Sequence, residues 1–174
     1  MTKKRTFFAL WPDDDTRDKL VEVCKKLPPG TGRIVPARNL HITLAFLGPL
    51  DSTVVDLLRR GAAAITAGRF SLVLEETGWW RKPRVVWIGA RDAPDTLLKL
   101  VSDINSLLLS QDIRPDDRPY QPHLTIARKV SRKPGKFDFK PIDWQIDSFC
   151  LVQSNTLPDG AVYEVIETWP LSSD

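Results

Sequence analysis

The chain has two histidines, and both head the same pattern: His41-Ile42-Thr43-Leu44 and His123-Leu124-Thr125-Ile126. Both stretches are rich in aliphatic and β-branched residues, which favour strands. Alternate side chains on a strand share a face. Each pattern therefore sets an imidazole and a hydroxyl on one face and two aliphatic side chains on the other. The aliphatic face needs a core and the polar face needs a cleft. A chain-turning segment precedes each motif, Pro36 to Leu40 in one case and Pro119 to Pro122 in the other. The arrangement that satisfies both motifs sets the two strands side by side about a pseudo-twofold axis, with two imidazoles across one cleft.

The rest of the chain reads as short strands among three helices. Thr6 to Leu10 is a β-type run, stopped by Trp11-Pro12. Asp13 to Leu27 has helical spacing, with Asp13 to Asp15 as caps and Pro28-Pro29-Gly30 as the stop. Arg33 to Pro36 is briefly extended, and His41 to Leu47 is a strand closed by Gly48-Pro49. Asp51-Ser52 caps a second helix reaching about Thr66. Phe70 to Glu75 and Arg84 to Ile88 read as strands flanking a basic, Trp-bearing connection. Pro94 opens a third helix that ends near Ser110. A polar loop, Gln111 to Pro119, precedes the strand His123 to Ala127. Trp144 to Ser154 and Ala161 to Trp169 form a final pair, joined by the turn Leu157-Pro158-Asp159-Gly160. Helices and strands do not alternate regularly. The expected fold is α+β and bilobal, each lobe an antiparallel sheet with helices outside and a central cleft between them.

With 174 residues, 42% of them hydrophobic, one bilobal domain over 1–174 is expected. No apolar run approaches the roughly 20 residues that span a bilayer. The chain starts Met1-Thr2-Lys3-Lys4-Arg5, and the apolar stretch after it, Phe7 to Trp11, is too short for a signal-peptide core. A cytoplasmic monomer without membrane contact is expected. Cys24 and Cys150 stand apart in apolar contexts, which reads as buried thiols rather than a zinc site. The net charge of +3 does not by itself announce nucleic-acid binding. Its distribution says more: bases cluster in Arg81-Lys82-Pro83-Arg84 and again from Arg128 to Lys136. Such patches suit a phosphate-bearing partner, although solvated loop charge is the plain alternative.

Imidazole titrates near 6.5, so one of the pair can be neutral while the other is protonated. That is what concerted general base and general acid catalysis requires. Thr43 and Thr125 add hydroxyl donors for phosphoryl oxygens where charge develops. This chemistry needs neither metal nor cofactor. A two-histidine metal site wants a carboxylate as well, and none lies near either motif in sequence. A single His-x-Thr is commonly just a satisfied polar face, but two copies that use every histidine are not.

The paired motifs resemble those of the two-histidine phosphoesterase superfamily. The longer strings Arg33-Ile34-Val35-Pro36, Asn39 to Gly48 and Pro122 to Arg128 are similar to its prokaryotic RNA 2′,3′-cyclic phosphodiesterase branch, formerly called the 2′-5′ RNA ligase family. The resemblance spans essentially the whole chain. It implies hydrolysis of RNA or oligonucleotide ends bearing a 2′,3′-cyclic phosphate to a 2′-phosphate. It makes His41 the proton donor to the leaving 3′ oxygen, His123 the base that activates water, and Thr43 and Thr125 the phosphate holders. The residues alone leave open which histidine is the acid. Phe46 and Arg128 occupy matching places, each five residues after its histidine, and would sandwich a terminal base. Strand parity opposes this, since an offset of five points to the other face unless a bulge intervenes; Phe46 in the core and Arg128 as a surface charge is the alternative. Arg33 is a further candidate for phosphate and Tyr120 for the rim. Trp79-Trp80-Arg81-Lys82 joins aromatics to bases as single-strand RNA contacts do, with at least one of the two tryptophans expected in the core. Trp11 and Trp169 read as packing residues. Other substrates remain open: 2′-5′ oligonucleotides, an ADP-ribose cyclic phosphate, or RNA ends joined by the reverse reaction. So does a non-catalytic RNA-binding module.

Overall fold

The structure, a computed structural model, describes residues 3–173. Met1 and Thr2, from the basic start of the chain, and Asp174 lie outside the described residues. In chain order the elements are β1 (Lys4–Leu10), α1 (Asp14–Lys25), β2 (Arg33–Ile34), a 3-10 turn (Ala37–Asn39), β3 (Ile42–Leu50), α2 (Ser52–Ala63), β4 (Phe70–Leu74), β5 (Glu76–Trp80), β6 (Val85–Gly89), α3 (Asp95–Leu109), β7 (His123–Arg128), β8 (Ile142–Ile146), β9 (Ser148–Leu157) and β10 (Gly160–Pro170).

The two motif strands stand next to each other at the middle of one eight-stranded sheet. Its order is β10-β9-β1-β3-β7-β6-β5, and the short β2 also pairs with β7. Every ladder in it is antiparallel. The α+β expectation holds, with the two lobes appearing as halves of this sheet. One half is β10-β9-β1-β3 and the other is β7-β6-β5 with β2. They meet through a single register pair, Ile42 opposite Leu124. Two strands that touch at one pair and then diverge leave a cleft above the junction.

The aliphatic faces behave as alternation requires. Ile42, Leu44, Leu124 and Ile126 are all buried, and they join one apolar core with α1 through Leu20, Val23 and Cys24 and α3 through Leu97, Leu100, Ile104 and Leu108. The Asp13 side chain accepts a bond from the Thr16 N–H at 2.7 Å, so the predicted cap of α1 forms. Both cysteines are buried and unpaired, and burial pushes their thiols up, to about 11 for Cys24 and about 12 for Cys150.

Three elements depart from the sequence reading. The connection between β4 and β6 contains a strand of its own, β5, which makes the hairpin with β6. Its sequence, Glu-Thr-Gly-Trp-Trp, has no alternation because Gly78 leaves room for another residue's ring. An added Cβ on Gly78 would lie 2.1 Å from the Trp87 side chain. Second, the stretch expected as one strand from Trp144 to Ser154 breaks at Asp147 into β8 and β9. Third, β8 leaves the main sheet and pairs with β4 as a separate two-stranded sheet. The predicted turn before Gly160 does close the β9–β10 hairpin, with Gly160 at φ +127°.

Candidate active site at the junction of the two half-sheets

The two strands run antiparallel through the pair Ile42–Leu124, so His41 and Thr43 flank that pair on one strand and Thr125 and His123 flank it on the other. By strand alternation the four polar residues fall on one face. All four line a cavity of about 490 Å³. Phe46, Arg128 and Tyr120 line it too.

Phe46 and Arg128 reach that face through a bulge. Along the β1–β3 ladder Phe8 faces Ala45, but its neighbour Ala9 faces Thr43, so Leu44 is an extra residue on β3. Along β6–β7, Val86 faces Ala127 while Trp87 faces Thr125, so Ile126 is an extra residue on β7. The two bulges occupy the same place, directly after the motif threonine. Each shifts the alternation by one, so the fifth residue after the histidine rejoins the histidine face. Phe46 is 69% exposed and Arg128 is exposed, which removes the alternative of Phe46 in the core.

Both imidazoles are held through Nδ1. His41 Nδ1 lies 2.6 Å from the Asn39 carbonyl and His123 Nδ1 lies 2.9 Å from the Gln121 carbonyl. A carbonyl only accepts, so Nδ1 carries the proton and the neutral ring turns a bare Nε2 to the cleft. Asn39 is itself anchored, its Nδ2 donating to the Ala161 carbonyl at 2.8 Å. His41 Nε2 is 3.2 Å from Thr43 Oγ1, which donates to it. Among the described residues His123 Nε2 has no such partner.

The rings have unlike surroundings. His41 stacks on Trp11 (5.4 Å between centroids, 14°) and touches Phe7 at 4.9 Å and the edge of Tyr163 at 5.1 Å. Burial there pushes its pKa down to about 4; the Asn39 carbonyl opposes this, and the charges of Arg128 and His123 add to it. His123 meets Trp80 edge-on at 4.5 Å and Trp87 at 6.4 Å. Its pKa is lowered as well, by burial first, with the charges of Arg118 and Arg128 adding and the Gln121 carbonyl opposing. Both rings are therefore neutral near pH 7.

Tyr120 has a structural part. Its hydroxyl donates to the Thr43 carbonyl at 3.0 Å, which ties the segment leading into β7 to β3. Burial pushes that phenol up, so it stays a neutral donor. Arg33 sits opposite Arg128 in the β2–β7 ladder but is not part of the cavity wall. Trp169 packs against Phe8 and Phe149 as expected. Trp79 packs on the core while Trp80 faces the cavity, so the pair divides as expected. Trp11 does not stay a mere packing residue, since it stacks on His41. Tyr163 and Trp87 gave no signal in the sequence, because only the sheet order brings them to the histidines, and Arg118 gave none within the polar loop before β7. Among the described residues no three His, Cys, Asp or Glu side chains are grouped to hold a metal.

A family model described as the 2′-5′ RNA ligase superfamily matches residues 9–157. The chain belongs to that superfamily. Within it, the chain is 30% identical over 174 residues to an RNA 2′,3′-cyclic phosphodiesterase of Escherichia coli strain K12, covering 97% of each protein. It is 31% identical over 186 residues to a protein of the same name from Thermus thermophilus, covering 98% of this chain and 91% of the relative. Its fold matches the crystal structure of E. coli LigT in apo form with a TM-score of 0.88, at 30% identity, over 99% of this chain and 100% of that one. LigT complexed with 3′-AMP matches with a TM-score of 0.87, at 31% identity, over 98% and 99%.

Proposed function

We propose that this superfamily member hydrolyses RNA 2′,3′-cyclic phosphate ends to 2′-phosphates, with His41 and His123 as the proton-transferring pair. The observation that carries the reading is the shared cavity of the two motifs: two imidazoles with unprotonated Nε2 atoms and two hydroxyls on its wall. The names of its relatives supply the substrate class.

His123 takes a proton from water as the water oxygen attacks phosphorus. Its Nε2 is free of partners, which suits a base. The bond from phosphorus to the 3′ oxygen breaks, and that oxygen takes the proton of the His41 imidazolium. An imidazole pushed down to about 4 is a strong acid once protonated. The bound phosphate anion offsets the cost of protonating it, since an opposite charge nearby favours the charged ring. Thr43 and Thr125 donate to the non-bridging oxygens where charge develops. Phe46 and Arg128 flank the terminal base, and Arg33, paired with Arg128 across the β2–β7 ladder, meets a more distant phosphate. Tyr120 holds the two motif strands in register. No helix of the described residues is long and apolar enough to cross a membrane.

The test is turnover of an RNA 2′,3′-cyclic phosphate in EDTA with product analysis. A 2′-phosphate is expected. A 3′-phosphate would reverse the leaving group, and absence of turnover would leave the arrangement as a binding cleft only.

A further inference from the structure

The β5–β6 turn, Arg81-Lys82-Pro83-Arg84, borders a second concavity. This shallow depression of about 670 Å³ is lined by Trp79, Trp80, Arg81 and Lys82. Trp80 and Lys82 also line the cavity that holds the histidines. The two spaces are therefore neighbours, separated by one indole and one ammonium.

The positive charge around the depression has no internal counterpart. Among the described residues, none of Arg81, Lys82, Arg84, Arg128 and Lys129 forms an ion pair. Arg118, also on the cavity wall, is by contrast held by Asp116. The fold also merges the two basic clusters. The Val130 N–H donates to the Arg84 carbonyl at 3.0 Å, which sets the loop after Arg128 against the turn. Aromatic faces beside unneutralised cations are the composition that takes single-stranded nucleic acid. Any base can stack on an indole, and the cations meet the backbone phosphates.

We infer that this depression is the subsite for the nucleotide immediately 5′ of the cyclic-phosphate end. The inference rests on the functional reading above. A cyclic phosphate closes the 3′ end, so a chain seated in the main cavity leaves it only in the 5′ direction. The Trp80–Lys82 border is a short exit bounded by cations. Trp80 receives the penultimate base where the depression meets the cavity, and Arg81 receives the phosphodiester on its 5′ side. The favoured ligand is thus single-stranded RNA of at least two nucleotides rather than a mononucleotide.

The experiment compares kcat/KM for adenosine 2′,3′-cyclic monophosphate and for a tetranucleotide ending in a 2′,3′-cyclic phosphate. Wild-type protein, Arg81→Glu and Arg81→Lys are measured at two salt concentrations. Wild type is expected to prefer the tetranucleotide by about tenfold, from one stacked base and one phosphate contact, with the preference shrinking at higher salt. Arg81→Glu removes most of the preference and leaves mononucleotide turnover unchanged, which also shows that the variant is folded. Arg81→Lys retains it. Equal kcat/KM for both substrates in wild type, or an equal loss on both in Arg81→Glu, overturns the subsite alone. Turnover of neither substrate by wild type breaks the underlying functional reading and the subsite with it.

Discussion

β3 and β7 repeat one design: imidazole, hydroxyl, bulge, then an outward side chain. Around β3 the imidazole lies among Phe7, Trp11 and Tyr163, with Trp11 stacked flat on it. Around β7 the indoles of Trp80 and Trp87 stand steeply across the His123 ring, and Gly78 supplies the room for Trp87. The side chains that follow the bulges also differ, an apolar ring in one half and a guanidinium in the other. Symmetry positions the two imidazoles, and the departures from symmetry give them different proton affinities. An acid and a base need both, since identical surroundings would give two groups titrating together.

Removing either imidazole is the harshest way to break the comparison. His41→Gln and His123→Gln are each expected to cut kcat by about 10²–10⁴. The losses differ in form. A base must be unprotonated and an acid protonated, so His123→Gln is expected to abolish the acidic limb of the pH–rate profile and His41→Gln the alkaline limb. Steady-state kinetics across pH on a nucleoside 2′,3′-cyclic phosphate checks this. An exchange of the two limbs would swap the assignment.

Stability against pH sharpens it further. His41 titrates near 6.5 when unfolded and at about 4 when folded. Between those values the unfolded chain binds a proton that the folded chain refuses. Stability is therefore full above about pH 6.5 and falls as pH drops towards 4, by on the order of 3 kcal/mol. His123 shifts the same way and adds to the slope. Urea unfolding at pH 7 and pH 4.5 measures the fall, and His41→Gln is expected to flatten it more than His123→Gln.

The smallest effect addresses one half alone. Gly78→Ala forces a Cβ against the buried Trp87 ring and is expected to cost about 1–3 kcal/mol. Because Trp87 touches His123 and not His41, the His123 imidazole resonance is expected to move while that of His41 stays. Movement of both would show that the half-sheets are not independently packed.

The elements that the sequence made legible are those with their own period. The helices ending near Lys25 and Leu109 and the two motif strands appear almost where spacing put them, because burial of one face decides both pattern and structure. β5 was hidden because Gly78 carries no side chain and contributes nothing to alternation. The break at Asp147 was hidden because β8 and β9 each bury residues, and only their partner strands reveal that they belong to different sheets. The same holds at the site. His41, Thr43, His123 and Thr125 were marked by repetition, whereas Trp11 and Tyr163 gain their role from β1 and β10 lying beside β3. An aromatic residue looks the same in sequence whether it fills a core or walls a cleft.

The matched bulges at Leu44 and Ile126 act as a phase shift in a two-residue rhythm. A strand without one can offer the cleft positions zero, two and four; with one, it offers zero, two and five. Deleting Leu44 or Ile126 would leave every named site residue in the chain yet turn Phe46 or Arg128 to the opposite side of the sheet. The spacing between motif and base contact is thus as much a part of this site as the side chains themselves, and an odd interval within a strand motif is the mark such a shift leaves in a sequence.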